Sequence, residues 1–289
     1  MSTAIAKNIT FREYRAAEGL NLSWLAQMDV SPKAFKVNAG LPDSVALRLG
    51  RLNHLCTLEH DLFQQEGLVW PGGMTRPKTG EPRPTTNKSS SDYKEFKAKH
   101  EAAGRSVVDQ SDINLCEHIR SGILSHPVAS RHLADTQNEL SIFWTHPMGV
   151  PCKSRIDALS SWSISDLKFM RDITPAKVNR AIVDYGYDSQ ASFYSDAVFA
   201  LTGERRPYFI VAAEKKEPFD VVVYELDDAI LGLGRQKCNR WMERYVECME
   251  SGLWPGISDQ KPIKAELGEW AYRELDDGKI YIDGQELAV

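Results

Sequence analysis

The sequence predicts an α/β (α+β) fold, a mixed central sheet flanked by helices, and three observations predict it. Helical spacing of apolar residues dominates the first third of the chain. Strand-like runs then follow in close succession, "LSIFWTH", "CKSRIDALS" and "WSISDLK", in the order of a three-strand meander. Two capped helices, two further apolar strands and a long capped helix come after them. A single mixed sheet packed by helices accounts for that order, and no internal repeat argues for an array.

Taken in order, "SPKAFKV" opens a helix at Ser31, and "LPDSVALRLGRLNHLCTLEHDLF" sets Val45, Leu49, Leu52 and Leu55 at helical spacing, as one buried face. Residues 71–92 hold four prolines and three glycines, which predicts a flexible excursion. It reads as a solvated linker or, through its arginines and lysines, as a guide for a passing nucleic-acid strand. A helix around "DINLCEHIRSGILSHP" is broken by Pro127. After the meander, Thr174 and Pro175 are an N-cap and first-turn pair, with Gly186 as the stop. A second helix, "YDSQASFYSDAVFALTG", ends at Gly203. "PYFIVAAE" and "FDVVVYEL" read as strands, and Asp227 caps a long helix reaching Gly252.

A chain of 289 residues, 42% hydrophobic, with seven Trp and ten each of Phe and Tyr, can bury a full core. The start, "MSTAIAKNITFREYR", lacks the basic-then-apolar order of a secretory signal, and no window approaches the roughly 20 apolar residues of a membrane helix. A cytoplasmic protein with no membrane partner is expected. The cysteines Cys56, Cys116, Cys152, Cys238 and Cys248 form no C-x-x-C pair, so buried reduced thiols are expected rather than a zinc knuckle or a disulfide framework. The net charge of −5 gives no global basic footprint, so nucleic acid would have to be attracted by a local patch. Between 153 and 180 the basic residues are Lys153, Arg155, Lys168, Arg171, Lys177 and Arg180, against Asp157, Asp166 and Asp172.

The chemistry concentrates in "GVPCKSRIDALSSWSISDLK", residues 149–168. Asp166 and Lys168 project from one face of a strand, with Leu167 opposite. A tight reversal at Ser160 and Ser161 sets 157 across from 164 and 155 across from 166, making Asp157 and Asp166 diagonal neighbours about 7–8 Å apart. Two carboxylates that close favour a raised pKa or a bound cation. Hard oxygen ligands point to Mg²⁺ or Mn²⁺ rather than zinc. Lys168 beside the cation suits phosphate chemistry. An equally simple reading pairs Asp157 with Arg155 or Lys153 in a surface ladder.

The run "GVPCKSRIDAL...ISDLK...YGYDSQASFY" resembles the PD-(D/E)XK nuclease superfamily, within it the exonuclease VIII (RecE-type) and RecB-like branch. "LRLGRLNHLCTLEHDLF" resembles the glycine-then-histidine helix ahead of the core in these nucleases, and "NLSWLAQMDVSPKAFKV" their opening. The resemblance runs from about residue 21 to the "GLWPG" at 252–256. It implies a restriction-endonuclease-like sheet in a single nuclease domain over 1–289, with a mainly helical part over 1–105 and the catalytic core over 106–256. It further implies that Asp157 and Asp166 are metal ligands, helped by the Leu167 carbonyl and His54, and that Lys168 is the catalytic lysine. Gln190 and Tyr194 match a Q-x-x-x-Y element that positions phosphate or water, their i, i+4 spacing putting both on one helical face. Glu139, in "NELSIFW", is carried over as an additional ligand or a support to the ligands. His126 suits either the same pattern or, beside Pro127, a helix end. Phe169 departs from the small polar residue expected after the lysine, which bears on a local contact.

The implied activity is a Mg²⁺-dependent exodeoxyribonuclease, with Mn²⁺ as a substitute. It degrades linear double-stranded DNA from the 5′ end and leaves 3′ overhangs for a RecT-like single-strand annealing protein in phage recombination. A homo-oligomeric ring would line its channel with basic groups, and Arg155, Arg171, Lys177 and Arg180 are the candidate DNA contacts. The alternatives are a RecB- or Cas4-type nuclease on single-stranded or flap DNA, and a non-catalytic DNA-binding recombination subunit. Cas4- and AddB-like relatives carry a four-cysteine iron–sulfur cluster. Cys238 and Cys248 stand ten apart without a third neighbour, so no cluster is expected.

Overall fold

A computed structural model describes residues 4–37, 45–75, 83–258, 262–266, 280–282 and 285–287. Strand β1 (Ile5–Lys7) leads into the short helices α1 (Phe11–Ala16), α2 (Leu22–Leu25), α3 (Gln27–Val30) and α4 (Pro32–Val37). The leucine-spaced run forms α5 (Val45–Leu58) and α6 (His60–Glu66), interrupted at Glu59. Next come β2 (Gly67–Val69), β3 (Gly73–Thr75), β4 (Arg83–Thr85), α7 (Ser91–Ala102), β5 (Ser106–Val108), α8 (Gln110–Ser125) and α9 (Pro127–Leu133). Within 71–92, where the sequence predicts an excursion, the described residues pair as a β3–β4 ladder. The Met74 N–H donates to Asp92 Oδ2 at 2.8 Å, and the Trp70 ring lies edge-on to Tyr93 and Phe96. Residues 76–82 lie outside the described residues.

The meander is β6 (Gln137–Thr145), β7 (Pro151–Leu159) and β8 (Ile164–Met170). Helices α10 (Pro175–Asp184) and α11 (Tyr187–Thr202) cross over to β9 (Tyr208–Glu214), which runs parallel to β8; β10 (Val221–Leu226) and α12 (Asp228–Ser251) follow. The main sheet has the order β1-β6-β7-β8-β9-β10, and β11 (Ile280–Ile282) pairs with β12 (Gln285–Leu287) in a separate ladder. Among the described residues no helix is long and apolar enough to cross a membrane. The caps act much as their residue types require: the Asp227 side chain accepts from the Ile230 N–H, and Gly203 and Gly252 end their helices in the left-handed region. Thr174 stands at the N-cap of α10, but its hydroxyl donates to Asp172 instead of capping.

The β7–β8 hairpin departs from the expected register. Its turn spans Ser160 to Ser163, closed by the Ser160 N–H on the Ser163 carbonyl at 3.0 Å and by the Ser163 N–H on Ser160 Oγ at 2.9 Å. Ser-Ser lacks the left-handed preference of a two-residue hairpin, and serine hydroxyls favour this wider, side-chain-bonded turn. Ala158 therefore pairs with Ser165 and Leu159 with Ile164. Asp157 and Asp166 fall one step past the last pair, opposite each other rather than diagonal.

Alternation along β8 and β9 divides the core. Ile164 and Ile210 join a cluster with Trp144, Phe193 and Val198 of α11 and Met242 of α12. Leu167 and Val211 join another with Ile119 and Ile123 of α8 and Ala129 of α9. Helices α11 and α12 approach closely at Gly234, where an added Cβ would lie 2.0 Å from the Asp188 carbonyl oxygen. The fully buried Asp188 carboxylate pairs there with Lys237 Nζ at 2.6 Å. No rotamer relieves a backbone clash, so Gly234→Ala is expected to cost about 2–3 kcal/mol and lower the melting temperature by roughly 5–10 °C. Gly232, with nothing within 4 Å of an added Cβ, is the control: Gly232→Ala should gain about 0.5–1 kcal/mol from helix propensity. Calorimetric unfolding of both variants checks the pair.

Candidate active site

The site lies where β7 and β8 part. Beyond the Ala158–Ser165 pair the ladder is replaced by a side-chain bridge: Asp157 Oδ2 accepts from the Leu167 N–H at 2.8 Å. Leu167 itself is buried and paired with Val211. On the other side of β7, Glu139 is flanked by the pairs Asn138–Ala158 and Leu140–Ile156, which sets it across from Asp157. Its φ of 50° is left-handed, an uncommon and strained conformation for a residue with a Cβ. Arg155 braces its side chain: the Arg155 Nε donates to Glu139 Oε2 at 2.6 Å, and its Nη1 to the Ser141 hydroxyl at 2.9 Å.

His54 enters from α5. Its Nδ1 stands 3.4 Å from Asp157 Oδ2 and 3.8 Å from Glu139 Oε1. One donor atom from each of the three lies within 4.8 Å of the others. Burial lowers the His54 pKa, favouring the neutral, metal-ligating form. The Phe169 ring stands edge-on to the imidazole, with centroids 5.2 Å apart at 84°, so the residue that departs from the family pattern braces the histidine. Burial first, then the Asp166 charge, pushes the Asp157 carboxyl well above the usual aspartate range. Burial and then Asp157 raise Glu139.

Asp166 is turned the other way. Its Oδ2 pairs with Lys168 Nζ, and its Oδ1 accepts from Gln190 Nε2 at 3.1 Å. Lys168 Nζ donates to Gln190 Oε1 at 2.9 Å, closing a three-membered ring of polar contacts that fixes the amide. Burial opposes the Lys168 charge, but Asp166 and Asp157 outweigh it, and the pKa is raised. Tyr194 is bonded to Gln190, and burial lifts its phenol far above the ordinary range. The structure thus gathers His54, Glu139, Asp157, Asp166, Leu167, Lys168, Gln190 and Tyr194 around one point. Its tight donor trio contains Glu139 rather than Asp166.

Two tyrosines not singled out in the sequence belong here. The Tyr187 ring lies 4.7 Å from Lys168 Nζ, three residues before Gln190 on α11, a spacing that could have revealed it. Tyr208 is buried with Asp166 beside its hydroxyl, but only the β8–β9 register, Ile164 against Tyr208, brings it there. His126 takes the helix-end role, its Nδ1 accepting from the Val128 and Ala129 N–H groups at α9.

The surface-ladder reading of Asp157 does not hold: Lys153 Nζ donates to the carbonyls of Tyr14, Arg15 and Ala17, and Arg155 to Glu139. Arg155 is also corrected as a DNA contact. Its side chain is 10% exposed and bonded to Glu139, Ser141 and the Ile9 carbonyl, so its charge is consumed inside the fold. Arg171, Lys177 and Arg180 are exposed, the last paired with Asp184 on α10.

Residues 22–263 match the family described as PDDEXK-like domain of unknown function (DUF3799). The fold is similar to that of a "putative exonuclease" from Eubacterium rectale, at a TM-score of 0.59 and 16% identity over 93% of this chain and 99% of that one. An alkaline exonuclease from Laribacter hongkongensis aligns at a TM-score of 0.30 and 13% identity, over 56% of this chain and 84% of that one. No curated protein matches the sequence.

A carboxyl whose folded pKa is raised contributes stability below its unfolded pKa of about 3.9, and that contribution is lost as pH rises through the folded pKa. In chelator-treated protein, Asp157→Asn should therefore raise the melting temperature by a few degrees at pH 7, the gain fading as pH falls toward the unfolded value. Adding Mg²⁺ or Mn²⁺ should raise the melting temperature of the wild type more than that of the variant. Thermal scans with and without metal read both outcomes.

Proposed function

This chain belongs to the PDDEXK-like family DUF3799, and from that premise we propose a metal-dependent exodeoxyribonuclease that shortens linear duplex DNA from its 5′ end and leaves 3′ overhangs for recombination. The enzyme is a nuclease, and enzymes of this fold family generally use divalent metals. One observation carries the reading: the closed ring of Lys168, Gln190 and Asp166 beside the donor trio of His54, Glu139 and Asp157. A protein that only bound DNA would not need a lysine held against carboxylates beside a metal-donor trio.

The donor set fits a hard divalent cation. Asp157 and Glu139 crowd together with raised pKa despite the nearby Lys168 and Arg155, and a neutral imidazole adds one nitrogen donor, which Mg²⁺ accepts and Mn²⁺ accepts more readily. His54, Asp157 and Glu139 would hold it, with Asp166 and the Leu167 carbonyl as further ligands. When bound, the cation supplies a Lewis acid at the scissile phosphate and neutralises part of its charge.

The remaining work falls to the chain. Lys168, kept protonated by Asp166, is a donor and a fixed positive charge rather than a base. It stabilises the negative charge that grows on phosphate oxygens in the transition state. Gln190, its amide locked by Lys168 and Asp166, can hold the attacking water in line with the bond to be broken. Tyr194 fixes Gln190 from the next turn of α11. Arg171 and Lys177 on the exposed side would bind the DNA backbone. A homo-oligomeric ring and a RecT-like annealing partner complete the proposal, since a ring confines basic groups to a channel while the chain stays net acidic.

Digestion of linear duplex labelled separately at its 5′ and 3′ ends tests the reading. Metal-dependent loss beginning at the 5′ label is expected, and Lys168→Ala should slow it by about 10²–10³-fold while DNA binding persists. Loss beginning at the 3′ label, or confined to single-stranded or flap DNA, would replace the stated polarity or substrate. No cleavage of any of these with any divalent metal would sink the enzyme reading. Separately, Arg171→Glu and Lys177→Glu should each reduce the salt dependence of DNA binding, by about one unit of slope per phosphate contact. Arg155→Ala should instead lower stability and leave that slope unchanged.

A further inference from the structure

We infer that Tyr185 and Tyr187 form a stacking site for the nucleobase adjoining the scissile phosphate. The inference deepens the nuclease reading and rests on it. Tyr185, at the C-cap of α10, is 73% exposed, the most exposed aromatic side chain among the described residues. Burial therefore cannot be its purpose. Other exposed aromatic rings have partners that account for them: Trp162 packs on His132 and Phe209, Trp24 on Phe35, Phe199 under Arg205 and Phe11 under Arg51. Tyr185 instead has the Tyr187 ring, with centroids 5.9 Å apart at 39°. Tyr187 in turn carries Lys168 Nζ 4.7 Å from its own centroid.

A short path of rings therefore leads from solvent to the group assigned to the phosphate. Gly186 makes it possible. With φ at 69° it turns the chain sharply between α10 and α11, so that residues two apart present neighbouring rings. The occupant best suited to a flat, uncharged, exposed ring one nucleotide's reach from a phosphate site is a base. Every base has a face that stacks, so such a site grips DNA without selecting sequence. Lys177, on the helix that ends at Tyr185, brings positive charge to the same approach, while Arg180 there is paired with Asp184. That complements a polynucleotide rather than an apolar peptide.

The test places 2-aminopurine at the first, second or third nucleotide of a duplex end and follows its fluorescence on binding in Ca²⁺. Wild type should quench one position. Tyr185→Ala and Tyr185→Leu should lose the quench and raise KM by about 5- to 100-fold with kcat within about twofold, the range base stacking spans. Tyr185→Phe and Tyr185→Trp should keep both, because the ring and not the hydroxyl is used. Melting temperatures should not move, since the side chain is solvent-exposed. If wild type cleaves DNA and Tyr185→Ala matches it in quench and KM, the stacking site is overturned and the nuclease reading stands. If wild type cleaves nothing but quenches through Tyr185, the stacking site stands and the nuclease reading falls. If Tyr185→Leu behaves like wild type, apolar contact rather than stacking is responsible and the inference fails.

Discussion

Two carboxylates forced together at the parting of β7 and β8 set the terms for the rest of this molecule. Like charges about 4 Å apart in a medium of effective dielectric 20 repel by about 4 kcal/mol, and Asp157 and Asp166 are both buried. The surrounding fold is arranged as a response. Asp157 is tied to the Leu167 N–H, which the ladder leaves unpaired at that step. Asp166 is held by Lys168 and Gln190. The histidine between Asp157 and Glu139 is kept neutral by burial.

Much of this was legible in the chain. Proline, glycine and aspartate punctuation delimited α10, α11 and α12, and alternation delimited all three meander strands, because these signals are local. What stayed hidden depended on pairing. The turn from Ser160 to Ser163 moved the register and turned a diagonal pair of aspartates into an opposed one. No spacing rule reveals that Glu139 adopts a left-handed backbone, or that Tyr208 arrives beside Asp166 through a parallel strand. Strand β1 was missed because three residues paired at a sheet edge carry too little periodicity to register.

Arg155 shows how a charge tally can mislead. Among the six basic residues between 153 and 180, Lys153 and Arg155 looked equivalent to the others on paper. Both are instead committed inward: Lys153 to three carbonyls at the end of α1, Arg155 to Glu139 and the Ile9 carbonyl. A cation that satisfies orphan helix carbonyls contributes to the fold and is lost to any external phosphate. Of the six, Arg171, Lys177 and Arg180 remain exposed, so the basic surface along this stretch is narrower than the composition implies.

The same two side chains bear on the order in which the protein comes into being. Lys153 reaches carbonyls up to 139 residues earlier in the chain, and Arg155 one 146 residues earlier; β1 closes the edge of a sheet whose other strands are made long after it. Closing loops of that length is entropically slow, and a chain growing from the ribosome meets these partners only after most of it has emerged. Glu139 is braced by the arginine for which the N-terminal segment waits. The donor trio cannot be complete before Asp157 has emerged, so a nascent chain spends about the first half of its synthesis without a finished site that could act on nearby DNA.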